Sequence, residues 1–382
     1  MPAPLLLIAN RHTADNENLT KPGVLFWFFF VGAFLYAFLL SLELLSVSFG
    51  LLAGSIFDLI YKVTANPFSA LGVGILATAT IQSSTAVTSI LVALVGAGSM
   101  SIENSLYVVM GANIGTTFTS SLVSISHLTN KKEFRKAFSA GVIHNLFNVF
   151  AVLVFLPLEY YFGFISKIAS LLTSQSSFLI GDRPGSAGNV INSLVSPVAQ
   201  RLASTGSSVI FWCAIGLVML FACIFLFRTF LKVIFIGDAE GYVNRVLFRG
   251  VWTTALIGAG ITAFIHSSTV TTSLCVPLAA TGKATTRKLF PFIIGANVGT
   301  TLTALLAASS RNQAALTLAY SHLILNLLPA VVLLAVPPVH NLFVYAASWL
   351  ARQFVNQRVL VFIYLVAFFF ALPLATIYFI NR

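Results

Sequence analysis

Long apolar runs, separated by short polar segments, dominate the chain. A helix that crosses a bilayer needs about 20 apolar residues, and runs of that length cover residues 24–52, 102–125, 138–158, 208–236, 286–308, 314–336 and 359–380. The pattern predicts a membrane helix over each run and therefore an all-α polytopic membrane protein. Residues 340–353 are apolar but short, and their pattern leaves open whether they cross.

Four other segments have a different character. Residues 53–66 and 237–250 are shorter and amphipathic, which predicts interfacial helices. Residues 67–98 and 251–282 are rich in glycine, serine and threonine for membrane segments, and we expect each to form a re-entrant helical hairpin. Residues 159–205 form the longest polar stretch, which predicts a partly ordered connector outside the membrane.

The second half of the chain repeats the first at an offset of 184 residues. Gln82-Ser83-Ser84-Thr85 aligns with His266-Ser267-Ser268-Thr269, and the stretch from Gly111 to Thr117 aligns with Gly295 to Thr301. Such repeats decide a fold more than local signals do. The predicted organisation is a cytoplasmic N-terminal segment (1–23), repeat one (24–158), the connector (159–205), repeat two (206–336) and C-terminal helices (337–382). Each repeat would contain a membrane helix, an interfacial helix, a hairpin and two further membrane helices.

Loop charges indicate how the repeats are oriented. In repeat one the loop after the hairpin is neutral or acidic, and the next loop is basic (Lys131, Lys132, Arg135, Lys136). In repeat two the order reverses: Lys283, Arg287 and Lys288 follow the hairpin, and the next loop has only Arg311. Because basic loops stay cytoplasmic, the two repeats are predicted to have inverted topology, with the N-terminus in the cytoplasm.

Composition supports a membrane protein and argues against other classes. Hydrophobic residues make up 58% of the chain and charged residues 8%, and the mean hydropathy is +0.95. So few charges could not solvate a soluble protein of this size. The net charge of +11 lies largely in short loops between apolar runs, so we expect the lipid bilayer rather than nucleic acid as its surroundings.

The two Ser-Ser-Thr segments are the main candidate site. A break at this point would start a half-helix whose free N–H groups and positive dipole end suit an anion. Two such ends meeting from opposite faces would surround a tetrahedral oxyanion with neutral donors. The alternative is that the hydroxyls only allow close helix packing.

Other polar residues inside the apolar runs each have a structural and a functional interpretation. The Gly-xxx-Gly spacings at Gly111 and Gly295 predict close helix packing, and the neighbouring Asn and Thr oxygens could ligate sodium. His144 and Asn148, matched by His322 and Asn326 after a six-residue slip, are best interpreted as buried polar pairs that bond across helices. His266, matched to Gln82, either titrates near neutral pH or acts as a neutral donor. Glu43 is a functional candidate or a snorkelling acid.

Together these motifs resemble the type II sodium-dependent phosphate cotransporter family. The paired hairpin motifs, each followed by Gly-Ala-Asn-(Ile/Val)-Gly-Thr-Thr, the stretch 134–148 and Leu156-Pro157-Leu158-Glu159 resemble it over about residues 24–335. The family pattern is usually Gln-Ser-Ser-Ser in each hairpin; here Thr85 and Thr269 replace the last serine, and His266 replaces the second glutamine. The resemblance implies that Gln82, Ser83, Ser84, Thr85, Ser267, Ser268 and Thr269 contact phosphate or the sodium ions beside it; we assign them to phosphate and add His266 by its matched position. For sodium we expect Gln82, Thr88, Ser89, Asn113, Thr116, Thr117, Thr272, Ser273, Asn297, Thr300 and Thr301.

The resemblance implies a sodium-coupled importer of inorganic phosphate that works by alternating access in a plasma membrane, which we take to be a bacterial inner membrane. The expected partners are phosphate, sodium and lipid, with sodium co-transported and no organic cofactor. The alternatives are transport of another oxyanion, proton coupling through His266, or a channel. An enzyme is not expected, because the sequence shows no paired carboxylates, metal cluster or nucleophile–base set.

Overall fold

The computed structural model describes residues 24–51, 62–176, 187–205, 208–235, 250–309 and 311–382, and each element within these ranges is helical. The first half contains α1 (Val24–Leu51), α2 (Pro67–Ile81), α3 (Ser84–Gly96), α4 (Ile102–Ile125), α5 (Lys131–Phe162), α6 (Phe164–Gln175) and α7 (Ala187–Ala203). The second half contains α8 (Val209–Phe235), α9 (Val251–Ile265), α10 (Ser268–Ser273), α11 (Cys275–Ala280), α12 (Thr286–Ser309), α13 (Gln313–Ala335) and α14 (Pro337–Asn356). The chain ends with α15 (Arg358–Val366), a π-helical turn (Ala367–Ala371) and α16 (Leu372–Ile380).

The sequence repeat reappears as a repeat of helix boundaries. Shifting α2 and α4 by 184 residues gives the bounds of α9 and α12. The same shift places the start of α3 on the start of α10, although the second hairpin is interrupted once more, at Leu274, before α11. Each predicted hairpin segment is therefore a helix–break–helix unit, and its re-entrant course in the membrane stays a prediction.

Glycines bring the first helix of each hairpin against the next long helix. An alanine at Gly111 or Gly115 of α4 would overlap the backbone of α2, with 2.7 Å from the Cβ of residue 115 to the carbonyl oxygen of Ile75. Alanines at the matched Gly295 and Gly299 of α12 would overlap the backbone of α9 at Ala255 and Ala259. The Gly-xxx-Gly spacings thus serve the close packing that the sequence predicted.

Most predicted spans are confirmed, with α1 and α8 forming near the predicted bounds. Among the described residues, five helical segments are long and apolar enough to cross a membrane. They are Ile102–Ile125, Lys131–Phe162, Thr286–Ser309, Gln313–Ala335 and Val359–Ile380. The last of these continues through the π-helical turn.

The structure differs from the predicted pattern at the start of α5 and adds detail at two other places. The helix α5 starts at Lys131 instead of residue 138, because the Asn130 side chain caps the N–H groups of Lys132 and Glu133, so the predicted basic loop is the first turns of a helix. The connector contains α6 and α7, and α6 is amphipathic. Residues 340–353 belong to the 20-residue α14. The predicted interfacial segments 53–66 and 237–250 lie largely outside the described residues, as does 1–23.

Each hairpin ends beside the start of a helix of the other half. At the end of α3, the backbone oxygen of Gly96 accepts a hydrogen bond of 2.8 Å from Nδ2 of Asn312, which caps α13. At the end of the second hairpin, a Cβ on Gly282 would lie 3.0 Å from Nζ of Lys136 in α5. The two halves are thus packed against each other at the ends of both hairpins.

Candidate anion and cation site

The two hairpin breaks have nearly the same backbone geometry. Gln82 has φ 55° and ψ 31°, and the matched His266 has φ 52° and ψ 29°. In the described part of the chain these are the only residues other than glycine with positive φ. A left-handed conformation costs a non-glycine residue about 1–2 kcal/mol. Strain held at matched positions indicates that packing around both breaks maintains it, as is typical of functional sites.

A serine caps the half-helix after each break. Ser83 and Ser267 are extended, and their Oγ atoms accept hydrogen bonds from the N–H groups of Ala86 (3.2 Å) and Val270 (3.3 Å). Each serine thereby satisfies one of the free N–H groups that begin the helix. Both retain a hydroxyl hydrogen to donate, so a capping role leaves them able to contact an anion.

Three residues with hydroxyl groups at the starts of these half-helices are buried. Ser84 and Ser268 are 3% and 2% exposed, and Thr269 is 8% exposed. A hydroxyl can donate one hydrogen bond and accept others, so these side chains suit a polar ligand between the half-helices.

The two breaks touch, but the contact is asymmetric. The Thr85 hydroxyl donates to the backbone oxygen of His266 at 3.1 Å, which joins the tip of one hairpin to the break of the other. Nδ1 of His266 lies 2.7 Å from the Thr303 hydroxyl, whereas the Gln82 side chain is exposed. The matched positions therefore differ in surroundings as well as in chemistry.

The matched asparagines hold a crossed set of hydrogen bonds between the halves. Oδ1 of Asn297 lies 2.8 Å from Nε2 of His144, and its Nδ2 donates to Oδ1 of Asn148 at 2.6 Å. The counterpart Asn113 makes the same two contacts with His322 (3.2 Å) and Asn326 (3.1 Å). The interpretation of the His/Asn pairs as buried cross-helix partners is confirmed.

These crossed contacts bear on the sodium hypothesis. The side-chain oxygens of Asn113 and Asn297 each face an imidazole nitrogen in this structure. Most of the threonines on the same helices donate to carbonyls one turn back, as Thr116 does to Ala112 and Thr300 to Ala296. A hydroxyl that donates its hydrogen in this way still has oxygen lone pairs that can ligate a cation.

Further candidates emerge only when the structure is compared across the repeat. The hydroxyls of Ser89 and Ser273, both predicted sodium ligands, are buried without a hydrogen-bond partner. So are the hydroxyls of Thr78 and Thr262, which no motif singled out. Thr78 and Thr262 also stand 184 residues apart, so a residue-by-residue reading of the repeat could have found them. Sequence reasoning likewise missed Thr303, the partner of His266.

Glu43 does not snorkel to the surface but forms a buried ion pair. Its Oε2 lies 2.9 Å from Nη1 of Arg311, and their side chains are 12% and 5% exposed. The pair ties α1 to the turn before α13, where Arg311 also packs against Gly96. We therefore treat Glu43 as a residue that holds the halves together.

These features define a class: a multi-pass helical membrane protein with two broken-helix hairpins whose breaks meet at a polar centre. Comparison with known proteins is more specific. The model of the Na+/Pi-cotransporter family matches residues 37–174 and 219–341. Because these matches cover more than half of the chain, the protein belongs to that family.

Curated relatives agree with this assignment. The chain is 28% identical over 422 residues to sodium-dependent phosphate transport protein 2A of Rattus norvegicus, an alignment that covers 89% of this chain and 65% of the rat protein. It is 26% identical over 462 residues to sodium-dependent phosphate transport protein 2B of Homo sapiens, covering 94% of this chain and 67% of the human protein. The chain thus spans about two thirds of the length of these relatives. No solved structure matches it.

Proposed function

We propose that this chain is a sodium-coupled symporter that imports inorganic phosphate by alternating access, with the anion held between the two Ser-Ser-Thr hairpins. One observation carries the proposal: two matched left-handed breaks, each followed by a serine-capped half-helix, meet through Thr85 and His266, with the buried residues Ser84, Ser268 and Thr269 beside them. Family membership and the printed names of the relatives support phosphate as the anion and sodium as the coupling ion.

The proposed anion site consists of neutral donors. Ser83, Ser84 and Thr85 would approach from the first hairpin, and Ser267, Ser268 and Thr269 from the second, with Gln82 and His266 flanking them. Two half-helix N-termini and their hydroxyls suit a tetrahedral oxyanion. Binding without an arginine or lysine in either hairpin would also favour release.

Sodium would bind beside the anion at oxygens of the same segments. Ser89 and Ser273 are the best supported ligands, because their buried hydroxyls have no partner. We add Thr78 and Thr262 on the same ground. Thr88, Thr116, Thr117, Thr272, Thr300 and Thr301 remain candidates through their free lone pairs, whereas Asn113 and Asn297 would have to exchange their histidine partners.

We further propose that the repeats have inverted topology, with the N-terminus and the basic helix starts in the cytoplasm. Each hairpin ends beside the start of the helix that follows the long helix of the other half, at Gly96 with Asn312 before α13 and at Gly282 with Lys136 in α5. If each long helix crosses the membrane, the two hairpins end on opposite sides. The Lys136 contact also brings both basic segments to one side, in accord with the positive-inside rule.

Energetics require a coupling ion. Moving a divalent anion inward against a membrane potential of about 100 mV requires roughly 4.6 kcal/mol of free energy, because each charge requires about 2.3 kcal/mol. Two sodium ions moving inward cancel that charge. Proton coupling through His266 is less favoured, because its Nδ1 already forms a hydrogen bond with the Thr303 hydroxyl, as a neutral imidazole can.

The test is uptake of labelled phosphate into vesicles containing the purified protein. We expect uptake with an inward sodium gradient and little with potassium at any pH from 6 to 8. Ser84→Ala and Ser268→Ala should each abolish uptake, whereas Ser170→Ala, an exposed serine on α6, should leave it unchanged. Uptake that ignores sodium, or normal uptake by both hairpin variants, would refute the proposal.

A further inference from the structure

The fold places two cavities at positions related by the repeat. One, of about 380 Å³, lies where the starts of α5 and α12 meet α14. The other, of about 750 Å³, lies where the starts of α13 and α4 meet α6. Since α5 corresponds to α13, α12 to α4 and α14 to α6 in chain order, the same architecture generates both.

The two cavities have opposite electrostatic character. Arg135, Lys136, Arg287 and Arg352 line the first, which we call the basic cavity, and its lining includes no acidic residue. Glu103, Glu159 and Lys167 line the second. The repeated architecture alone therefore does not explain why four cationic side chains line the basic cavity. Like charges that share a cavity repel each other, so the arrangement favours binding of an anion.

Hydroxyl groups complete the chemistry of the basic cavity. The Thr286 hydroxyl donates to Oγ of Ser139 at 3.1 Å, and Oγ of Ser348 lies 3.5 Å from the same atom. Nη2 of Arg287 donates to Oδ1 of Asn341 at 2.6 Å, which fixes its guanidinium at the cavity edge. Guanidinium groups bind phosphate through paired N–H donors, and the start of α12 adds a positive dipole end.

The helix that borders the cavity also has an apolar side. Leu342, Tyr345 and Trp349 of α14 are 61%, 62% and 47% exposed. Their spacing puts them on one face of the helix, and tyrosine and tryptophan are typical of the membrane–water interface. The basic cavity would thus lie at headgroup depth, within reach of both lipid and cytoplasmic solutes.

We propose that the basic cavity is a binding site for a phosphate group, separate from the hairpin site. The group belongs either to the headgroup of an anionic phospholipid or to a free phosphate ion on the cytoplasmic side. Both sources present the same tetrahedral, negatively charged oxygens to the arginines. The proposal holds whether or not the hairpins transport phosphate.

The test compares two pairs of substitutions that remove the same charge from the same face. Arg135→Gln with Arg352→Gln neutralises the cavity, and Lys131→Gln with Lys132→Gln neutralises exposed lysines that do not line it. Both pairs are introduced into a Ser84→Ala, Ser268→Ala protein, so that binding at the hairpins does not contribute. Purification profile and melting temperature verify folding; if the arginine pair fails to fold, Lys136→Gln alone replaces it.

Two measurements distinguish the sources. One is equilibrium binding of labelled inorganic phosphate to lipid-free protein in detergent, and the other is retention of phosphatidylglycerol against phosphatidylcholine, read by native mass spectrometry. Each basic residue near an anionic headgroup is worth about fivefold in affinity, so the arginine pair should lose about 25-fold and Lys136→Gln about fivefold. The lysine pair should change affinity less than threefold.

Loss in the lipid measurement identifies a headgroup, and loss in the phosphate measurement identifies the free ion. Equal effects of the arginine and lysine pairs in both measurements would overturn the proposal. Because these are binding measurements in a protein without the hairpin serines, their failure is distinct from a failure of sodium-driven uptake, which is measured with the unmodified chain.

Discussion

Removing the carboxylate of Glu43 should destabilise the protein strongly. The ion pair with Arg311 is almost fully buried, with 2.9 Å between the charged atoms. At an effective dielectric constant of about 20, two charges at about 4 Å attract by about 4 kcal/mol. Glu43→Gln would remove one charge of this buried pair, and breaking a buried pair in that way usually costs about 3–5 kcal/mol.

We therefore expect Glu43→Gln to lower the free energy of unfolding by about 3 kcal/mol. In a chain of this length that corresponds to a drop of the melting temperature on the order of 5 °C. Adding Arg311→Gln to Glu43→Gln should recover at least half of the loss, because both members of the pair are then neutral. Thermal unfolding of the detergent-solubilised protein measures each variant.

The control is Glu103→Gln, an exposed acid in the first turn of α4, which should change stability by less than about 1 kcal/mol. The reasoning fails if the effects of the Glu43 and Arg311 substitutions simply add. It also fails if Glu43→Gln has the same melting temperature as the unmodified protein, because the ion pair would then contribute as little as one at the surface.

Three further predictions concern packing, the crossed hydrogen bonds and pH. Gly258→Ala should lower the free energy of unfolding by about 2 kcal/mol or more, because the new Cβ would overlap the backbone of Phe292. Gly260→Ala on the same helix meets open space and should be neutral or stabilising. Similar melting temperatures for the two variants would contradict this prediction. Asn297→Leu should cost about 3 kcal/mol by leaving His144 without its partner, and an unchanged melting curve would refute it. His266→Gln should retain sodium-driven uptake and leave its dependence on pH between about 6 and 8 unchanged, because His266 already acts as a neutral partner of Thr303. A profile that flattens in the variant would show that the imidazole titrates in that range.

The repeated helices and their breaks were predictable from the sequence because they are local. The same residue types recur at a constant spacing, so Gln82 and His266 end their helices in the same conformation although their side chains differ. Close packing was also predictable, because two glycines one helical turn apart let the backbone of a neighbouring helix approach closely. The resemblance of the motifs to a known family is confirmed by the family match.

The contacts between the halves were not predictable. Asn113 bonds a residue 213 positions away and Glu43 bonds Arg311, and no pattern along the chain specifies which buried polar groups will face each other. The start of α5 was misplaced because its first turns are basic, and a hydropathy pattern cannot distinguish a charged loop from a capped, charged helix end. The roles of the hairpin residues toward phosphate and sodium stay predictions.

The crossed asparagines have a consequence for how the protein is made. While the ribosome synthesises the first half, Asn113 sits in the membrane before His322 and Asn326 exist. The first half would therefore remain incompletely folded until most of the second has been inserted. A gene split in the connector should yield two fragments that are each degraded when made alone, but that assemble and persist when produced together.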